Sequence, residues 1–364
     1  MTTAARARDH LAVLAARSRR AGSVAEAAAR AHCARVLRSS GFEVREEPFE
    51  YSAAPGRYAT SAGGIGSTLL LVAATVLAAR GRPGAALAIL VAGGALLGAA
   101  ALWLARVGVL RAPLMRRRGV NLIATRGVRD PPVWLVAHLD SKSQPVPILL
   151  RAGAIVLHGV TWAAALVLCA AQWFGASLAE AWPSVGALGF ATGLPVVASV
   201  VGDRSAGAVD NASGVAAVLL AAAALPRGGP TGVLITSAEE LGLAGARAWV
   251  RTRGPAIALN CDGIDDEGDL LCMYSGRRPT RLVQLFERAA ERERRVLRIR
   301  RLLPGVLVDG VAFADAGWEA LTLSRGTAGT LARIHTKRDS LELLSGAGVD
   351  DAVPILTRVA RELC

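Results

Sequence analysis

From Tyr58 to Ala79 the chain carries no charged residue. From Gly84 to Ala105 it again carries none, with only Arg80-Gly81-Arg82-Pro83 between. Each run is about the length needed to cross the ~30 Å hydrocarbon core of a bilayer. A buried helix of a soluble domain seldom extends that far without a charged face. The pattern predicts a transmembrane hairpin over residues 58–106. A second apolar pair lies within 151–202: Ala152 to Phe174 is uncharged, Glu180 and Pro183 mark a turn, and Val185 to Val201 returns. The return is short and contains Gly193 and Pro195, so a re-entrant or interfacial segment is the alternative to a full crossing. His158 lies in the first arm. An ionisable group there hints at function, but a neutral histidine bonded to a neighbouring helix is the preferred reading. Trp103, Trp162, Trp173 and Trp182 fall mostly near the ends of these segments, where indole suits the interface.

Each hairpin leaves and re-enters on one side, so the remaining pieces, 1–57, 107–150 and 203–364, share a compartment. Their flanks carry Arg57, Arg106, Arg111, Arg116, Arg117, Arg118, Arg151 and Arg204, whereas the far turns carry Arg80 and Arg82 against Glu180. The bias of basic residues predicts about four transmembrane helices with the rest of the chain cytoplasmic. Cys33, Cys169, Cys261, Cys272 and Cys364 form no C-x-x-C pair and are odd in number, as expected of free thiols in a reducing compartment. Met1 to Arg20 has no apolar core segment and does not read as a signal peptide. The net charge of +13 is accounted for by such flanks. With 4% aromatics and no basic-aromatic motif, nucleic acid is not an expected partner.

Outside the hairpins, helical and strand patterns alternate. Residues 5–40 repeat apolar positions at helical spacing, and Phe42 to Phe49 alternates like a strand. Gly119–Thr125 and Pro132–Ala137 read as strands, the second apolar throughout, as for a strand buried on both faces. Further on, Ser213–Leu225 reads as a helix, Gly232–Ser237 as a strand, Leu241–Arg253 as a helix and Ala256–Asp262 as a strand. Thr280–Arg298 reads as a helix, Ala320–Ser324 as a strand and Asp351–Leu363 as a helix. The alternation predicts an α/β sheet covered on both faces.

Four short clusters stand at or just beyond the ends of apolar strands, where open α/β sheets bind ligands. His138-Leu139-Asp140 closes one strand. His138 can ligate a metal while Asp140, two residues on and on the same side, supports it. Ala208-Val209-Asp210-Asn211-Ala212-Ser213-Gly214 precedes an alanine-rich helix. Its Asp210 can bridge two cations, although Asp and Asn also suit a helix start. Ser237-Ala238-Glu239-Glu240-Leu241-Gly242-Leu243 sets two repelling carboxylates side by side. A ligand, Glu240, beside a general base, Glu239, would explain them, although acids also favour a helix N-terminus. Asn260-Cys261-Asp262 and Ile334-His335-Thr336 complete the set, and each alone passes for ordinary structure.

In order, His, Asp, Glu-Glu, Asp and His resemble metallopeptidase family 28, the co-catalytic zinc aminopeptidases. The matching motifs also include His335-Thr336-Lys337-Arg338-Asp339-Ser340. The resemblance covers roughly 1–57, 119–150 and 203–364. It implies a three-layer mixed sheet covered by helices, interrupted by the two hairpins. It implies two zinc ions, with cobalt or manganese as alternatives. His138 and Asp262 would complete one site, Glu240 and His335 the other, and Asp210 would bridge them. Glu239 would deprotonate the attacking water and later protonate the leaving amine, and Asp140 would orient His138. The implied partner is a peptide or amide substrate, met at the lipid bilayer.

Three departures from the family stand out. No tyrosine follows Tyr274, so the phenol some relatives aim at the developing oxyanion has no counterpart unless Tyr274 reaches in. The late Asp-His pair of relatives reads Asp309-Gly310 here. The second hairpin separates His138 from Asp210, which predicts a site close to the membrane surface and substrates arriving along it. Removal of N-terminal residues from peptides is the leading activity. Glutaminyl-cyclase-like acyl transfer and a non-catalytic receptor or scaffold are the competitors.

Overall fold

The computed structural model describes residues 3–303 and 305–364. In chain order it contains α1 (Thr3–Leu14), α2 (Val24–Ser39), β1 (Glu43–Ser52), α3 (Ala53–Ala79), α4 (Pro83–Trp103), α5 (Val109–Arg111), β2 (Arg116–Arg126), β3 (Val133–His138), α6 (Ile148–Trp173) and α7 (Trp182–Val197). It continues with α8 (Gly214–Ala224), β4 (Thr231–Thr236), α9 (Ala244–Val250), β5 (Ile257–Ile264), β6 (Leu270–Tyr274), α10 (Thr280–Arg292), β7 (Leu297–Arg301), α11 (Asp309–Asp315), β8 (Glu319–Arg325), α12 (Ala328–Arg333) and α13 (Ala347–Leu363). The chain divides into two compact units. One comprises Met1–Tyr51, Arg116–Ser143 and Asp203–Cys364, the other Ser52–Met115 and Gln144–Gly202.

The first unit is built on one eight-stranded sheet in the order β1-β2-β4-β3-β5-β8-β6-β7. Its centre, β4-β3-β5-β8, is parallel, and antiparallel pairs β2–β4 and β6–β8 flank it. The apolar run of β3 serves both faces. Val133, Leu135 and Ala137 join one core, with Leu11, Leu37, Val218 and Ile355. Trp134 and Val136 join another, with Trp249, Phe313 and Trp318. In that second core Trp134 meets Trp249 edge-on at 4.6 Å between ring centres, and Trp249 lies 5.4 Å from Trp318. Sheet covered on both faces is thus the observed architecture.

Several expected elements differ in extent. The helix expected over Thr280–Arg298 stops at Arg292 and the chain turns into β7 at Leu297. The apolar face that sustains α10 ends at Ala290, after which Arg292, Glu293, Arg294 and Arg295 are all charged. The helical stretch over 5–40 is two helices, the second starting where Ser23 Oγ accepts the Glu26 amide at 3.1 Å. Strands β6 and β7 and helices α11 and α12 had no legible sequence signal.

The second unit has an apolar core around Leu71, Leu90 and Trp182 but also exposes many large apolar side chains. Leu69, Leu96, Val156, Val160, Val167 and Phe174 are exposed, whereas Ser61, Thr68, Thr75, His158 and Thr161 are buried among the helices. Small residues let the helices close up: a Cβ on Gly193 would fall 2.0 Å from Thr68 Oγ1, and one on Gly64 2.9 Å from the Val197 amide. His158 is hydrogen-bonded on both ring nitrogens, to Thr192 Oγ1 at 3.1 Å and Ser67 Oγ at 3.0 Å. Gln172 accepts from Trp182 Nε1 and donates to the Ala78 carbonyl. Three helices, Ala53–Ala79, Pro83–Arg111 and Ile148–Trp173, are long and apolar enough to cross a membrane. Helix α7, at 16 residues with Pro195 inside, is shorter.

The chain leaves the first unit after Ser143 and returns at Asp203, and one side chain ties both limbs together. Arg19, 1% exposed, donates to the carbonyls of Leu139 (2.8 Å), Ala206 (2.6 Å) and Gly207 (2.9 Å), and also to that of Leu14. Ser141 Oγ donates to the Ser205 carbonyl and Ser143 Oγ accepts the Arg204 amide. Stripping a donor from buried carbonyls costs about 1–3 kcal/mol each. Arg19→Met is therefore expected to lower unfolding stability by at least about 3 kcal/mol, measured by denaturant titration in detergent. Trp249→Ala, which empties the aromatic core, should cost about 3–5 kcal/mol in the same titration.

Candidate metal centre

Because β3, β4, β5 and β8 are parallel, their C-terminal ends open on one edge of the sheet. His138 ends β3 and pairs in register with Thr236, which ends β4. Beyond Thr236 the backbone turns through Ala238 at φ 59° into a single tight turn holding Glu239 and Glu240. Asp262 sits in β5 where the register with β8 shifts between Cys261 and Ile264, the kind of irregularity that re-aims a side chain. His335 follows α12 with φ 61°, in the left-handed region.

Each turn that carries a candidate ligand is gripped by another acid or amide. Asp140 accepts the amides of Glu239 (3.0 Å) and Glu240 (3.2 Å) with its carboxylate. It orients His138 by its backbone carbonyl, 3.0 Å from Nδ1, while its nearest carboxylate oxygen is 3.8 Å away. The expected support of His138 therefore runs through the main chain. Asp339 accepts the amides of Val209 (2.7 Å) and Asp210 (3.1 Å). The Asn211 side chain accepts from the Gly214 and Gly263 amides and donates to the Cys261 carbonyl, so the Asp210 loop is fastened to the strand that carries Asp262.

The six residues singled out for metal and water chemistry converge. Asp210 lies between the two histidines: Oδ1 is 3.1 Å from His138 Nε2 and Oδ2 is 2.8 Å from His335 Nε2. Asp262 Oδ1 is 3.5 Å and Glu239 Oε2 3.9 Å from His138 Nε2, and Glu240 Oε1 is 3.5 Å from His335 Nε2. One donor atom each from His138, Glu239 and Asp262 lie within 4.8 Å of one another, and so do donors from Asp210, Glu240 and His335. Glu239 thus stands against the His138–Asp262 half and Glu240 against the His335 half.

The electrostatics are those of crowded acids. Burial, reinforced by Glu240, Asp262 and Asp309, pushes the Glu239 carboxyl well above its usual range, so it holds a proton readily. Burial also raises Asp262, Asp309 to about 6 and Asp140 to about 8. Asp210 goes the other way. Burial opposes its charge, but the hydrogen bonds from His138 and His335 outweigh that and hold it well below the usual carboxylate range. For His138, burial is likewise outweighed by Glu239, Asp262 and Asp210, so its proton is held well above the ordinary value. Glu240 is held low against burial, chiefly by the Lys142 ammonium.

Sequence reasoning passed over Lys142, whose Nζ stands 2.5 Å from Glu240 Oε2. A signal existed: of 42 lysines and arginines only Lys142 and Lys337 are lysines, the first lying two residues past Asp140 and the second inside the His335–Ser340 motif. It also left Arg19 and Asp339 without a role, although Asp339 falls inside the quoted His335–Ser340 motif. Asp309 accepts from Thr236 Oγ1 through Oδ2, and its buried Oδ1 has no hydrogen-bond partner among the described residues. Tyr274 does not reach in. Strand β6 runs antiparallel to β8 with Met273 opposite Thr322, so Tyr274 lies further from the site edge and packs on the core.

The donors suit divalent cations. Seven carboxylates, on Asp140, Asp210, Glu239, Glu240, Asp262, Asp309 and Asp339, are clustered, with Arg19, Lys142 and Arg247 among the permanent cations that act on them. Glu240 Oε1, buried on the His335 side, has no hydrogen-bond partner among the described residues. Imidazole and carboxylate donors in this number match zinc.

Solved structures with the same fold include the aminopeptidase of Aneurinibacillus sp. strain AM-1 (16% identity, 98% of this chain and 92% of that one, TM-score 0.57). They also include BSAP, a zinc aminopeptidase from Bacillus subtilis (15%, 99% and 94%, TM-score 0.58), and the glutaminyl cyclase of Porphyromonas gingivalis (14%, 100% and 98%, TM-score 0.55). No curated protein matches in sequence. Residues 121–359 match the profile described as Peptidase family M28, and the chain belongs to that family.

Proposed function

We infer that the chain is a membrane-embedded aminopeptidase using two zinc ions, one held by His138 and Asp262, the other by Glu240 and His335, with Asp210 between them. The observation that carries this reading is the placement of Asp210, whose two oxygens face two different histidines. A carboxylate so placed suits a pair of cations a few ångströms apart. Bound there, such ions would polarise the scissile carbonyl and activate water.

The chain's own groups supply the rest. Glu239, buried and rich in acidic neighbours, takes the proton of the attacking water and returns it to the leaving amine. Asp140 fixes both glutamates through their amides while its carbonyl sets the His138 ring, leaving Nε2 free for the site. Thr236 and the buried Asp309 wall the pocket behind Glu239.

The second unit supports membrane residence, since its helices expose large apolar side chains such as Leu69, Leu96, Val156, Val160 and Val167 while burying Thr68, Thr75, His158 and Thr161. We read it as two hairpins, 58–106 and 151–202, of about four crossing segments, with residues 1–57, 107–150 and 203–364 cytoplasmic. Because only short stretches of chain separate His138 and Asp210 from the second hairpin, substrates delivered along the bilayer fit best: peptides released by membrane proteolysis, or lipid-linked amides. A second reading, cyclisation of N-terminal glutamine, draws on the glutaminyl cyclases that share the fold.

Three measurements test this. With aminoacyl amides, Glu239→Gln should lose about 10²–10⁴-fold in kcat while keeping its metal content; retained activity would remove Glu239 from the role of base. With glutaminyl peptides, release of free glutamine supports the hydrolase and pyroglutamyl product supports the cyclase. The exposed Cys364 thiol should resist an impermeant maleimide in intact cells and react after lysis; labelling before lysis would reverse the orientation.

A further inference from the structure

Lys142 occupies an unusual position. Its ammonium is 2.5 Å from Glu240 Oε2, while the other oxygen, Oε1, faces His335 Nε2 at 3.5 Å and has no hydrogen-bond partner among the described residues. The two oxygens of one carboxylate are therefore divided, one given to a lysine and the other presented to the metal pocket. Residue chemistry makes the division specific. An ammonium is a compact point charge that can engage a single oxygen. A guanidinium is a planar fork that tends to claim both oxygens of a carboxylate. Nearly every other basic position in this chain is arginine, and the Arg253 guanidinium does take both oxygens of Glu47.

The geometry points to Lys142 as a positioning residue that limits Glu240 to one metal-facing oxygen and holds down the affinity of the Asp210–Glu240–His335 pocket for its cation. This rests on the dinuclear reading above. Two effects act in the same direction. The occupied Oε2 cannot join Oε1 in chelation, and the fixed positive charge beside Glu240 repels an incoming divalent ion. Among the described residues no lysine or arginine is paired with His138 or Asp262, so the two halves are held unequally, the Glu240 half more loosely.

The test is equilibrium Zn²⁺ and Co²⁺ binding to the full-length protein in detergent, by competition with a chromophoric chelator. In Lys142→Met one of the two metal equivalents should bind at least ten-fold tighter. The visible absorption of its Co²⁺ form should fall, as the coordination number rises with Glu240 binding through both oxygens. In Lys142→Arg the same equivalent should bind at least ten-fold more weakly. Lys142→Gln, which preserves size and polarity, should follow Met and serves if Met does not fold. A merely structural lysine would weaken binding in all three, and that result, or unchanged affinity in Met and Gln, overturns the proposal. Wild-type protein that takes up no metal overturns the dinuclear reading itself and this inference with it. Wild-type protein that binds two metals which the variants leave unchanged overturns only the role of Lys142.

Discussion

Carboxylates concentrated at the ends of parallel strands are the constraint on which the rest of the first unit depends. Parallel β3, β4 and β5 bring His138, the Glu239-Glu240 turn and Asp262 to one edge whatever else the chain does. Acids gathered there repel, and burial makes each ionised one costly. The molecule answers by giving some of them backbone to hold. Asp140 takes the amides of Glu239 and Glu240, and Asp339 takes those of Val209 and Asp210. In both cases a buried acid that does not face the pocket fixes the main chain of one that does. A typical hydrogen bond contributes about 0.5–1.5 kcal/mol net, so these grips offset part of the repulsion and aim the site together.

The same logic governs how the second unit is interrupted into the first. A long insertion between His138 and Asp210 would let the two drift unless its ends were closed. Arg19 reaches carbonyls on both limbs, and Ser141 and Ser143 pair with Ser205 and Arg204 across them. The insertion therefore begins and ends at adjacent points, and the two chemically paired residues stay on a rigid frame.

The two units also differ in what their surfaces expose. The sheet unit buries Trp134, Trp249, Phe313 and Trp318 on one face and aliphatic side chains on the other. The helical unit leaves leucine, valine and phenylalanine outside and satisfies Ser67, His158, Thr192 and Gln172 within.

Much of this was readable along the chain. The uncharged runs, the apolar strand Val133–Ala137, the helix before Leu225 and the His, Asp, Glu-Glu, Asp, His order are local patterns, because strand burial, helix periodicity and motif spacing are written in neighbouring residues. The helix boundary at Arg292, the edge strands β6 and β7, and the short helices α11 and α12 were not, because their stability comes from what they pack against. Nor were the partners of Arg19, Lys142 and Asp339, which join residues far apart in sequence. The sequence by itself determined which donors the site would contain. Only the tertiary structure decided that Asp210 stands between two histidines, that Asp140 supports His138 by its carbonyl, and that one oxygen of Glu240 belongs to a lysine. Those are matters of direction and distance, set where separate strands and loops meet.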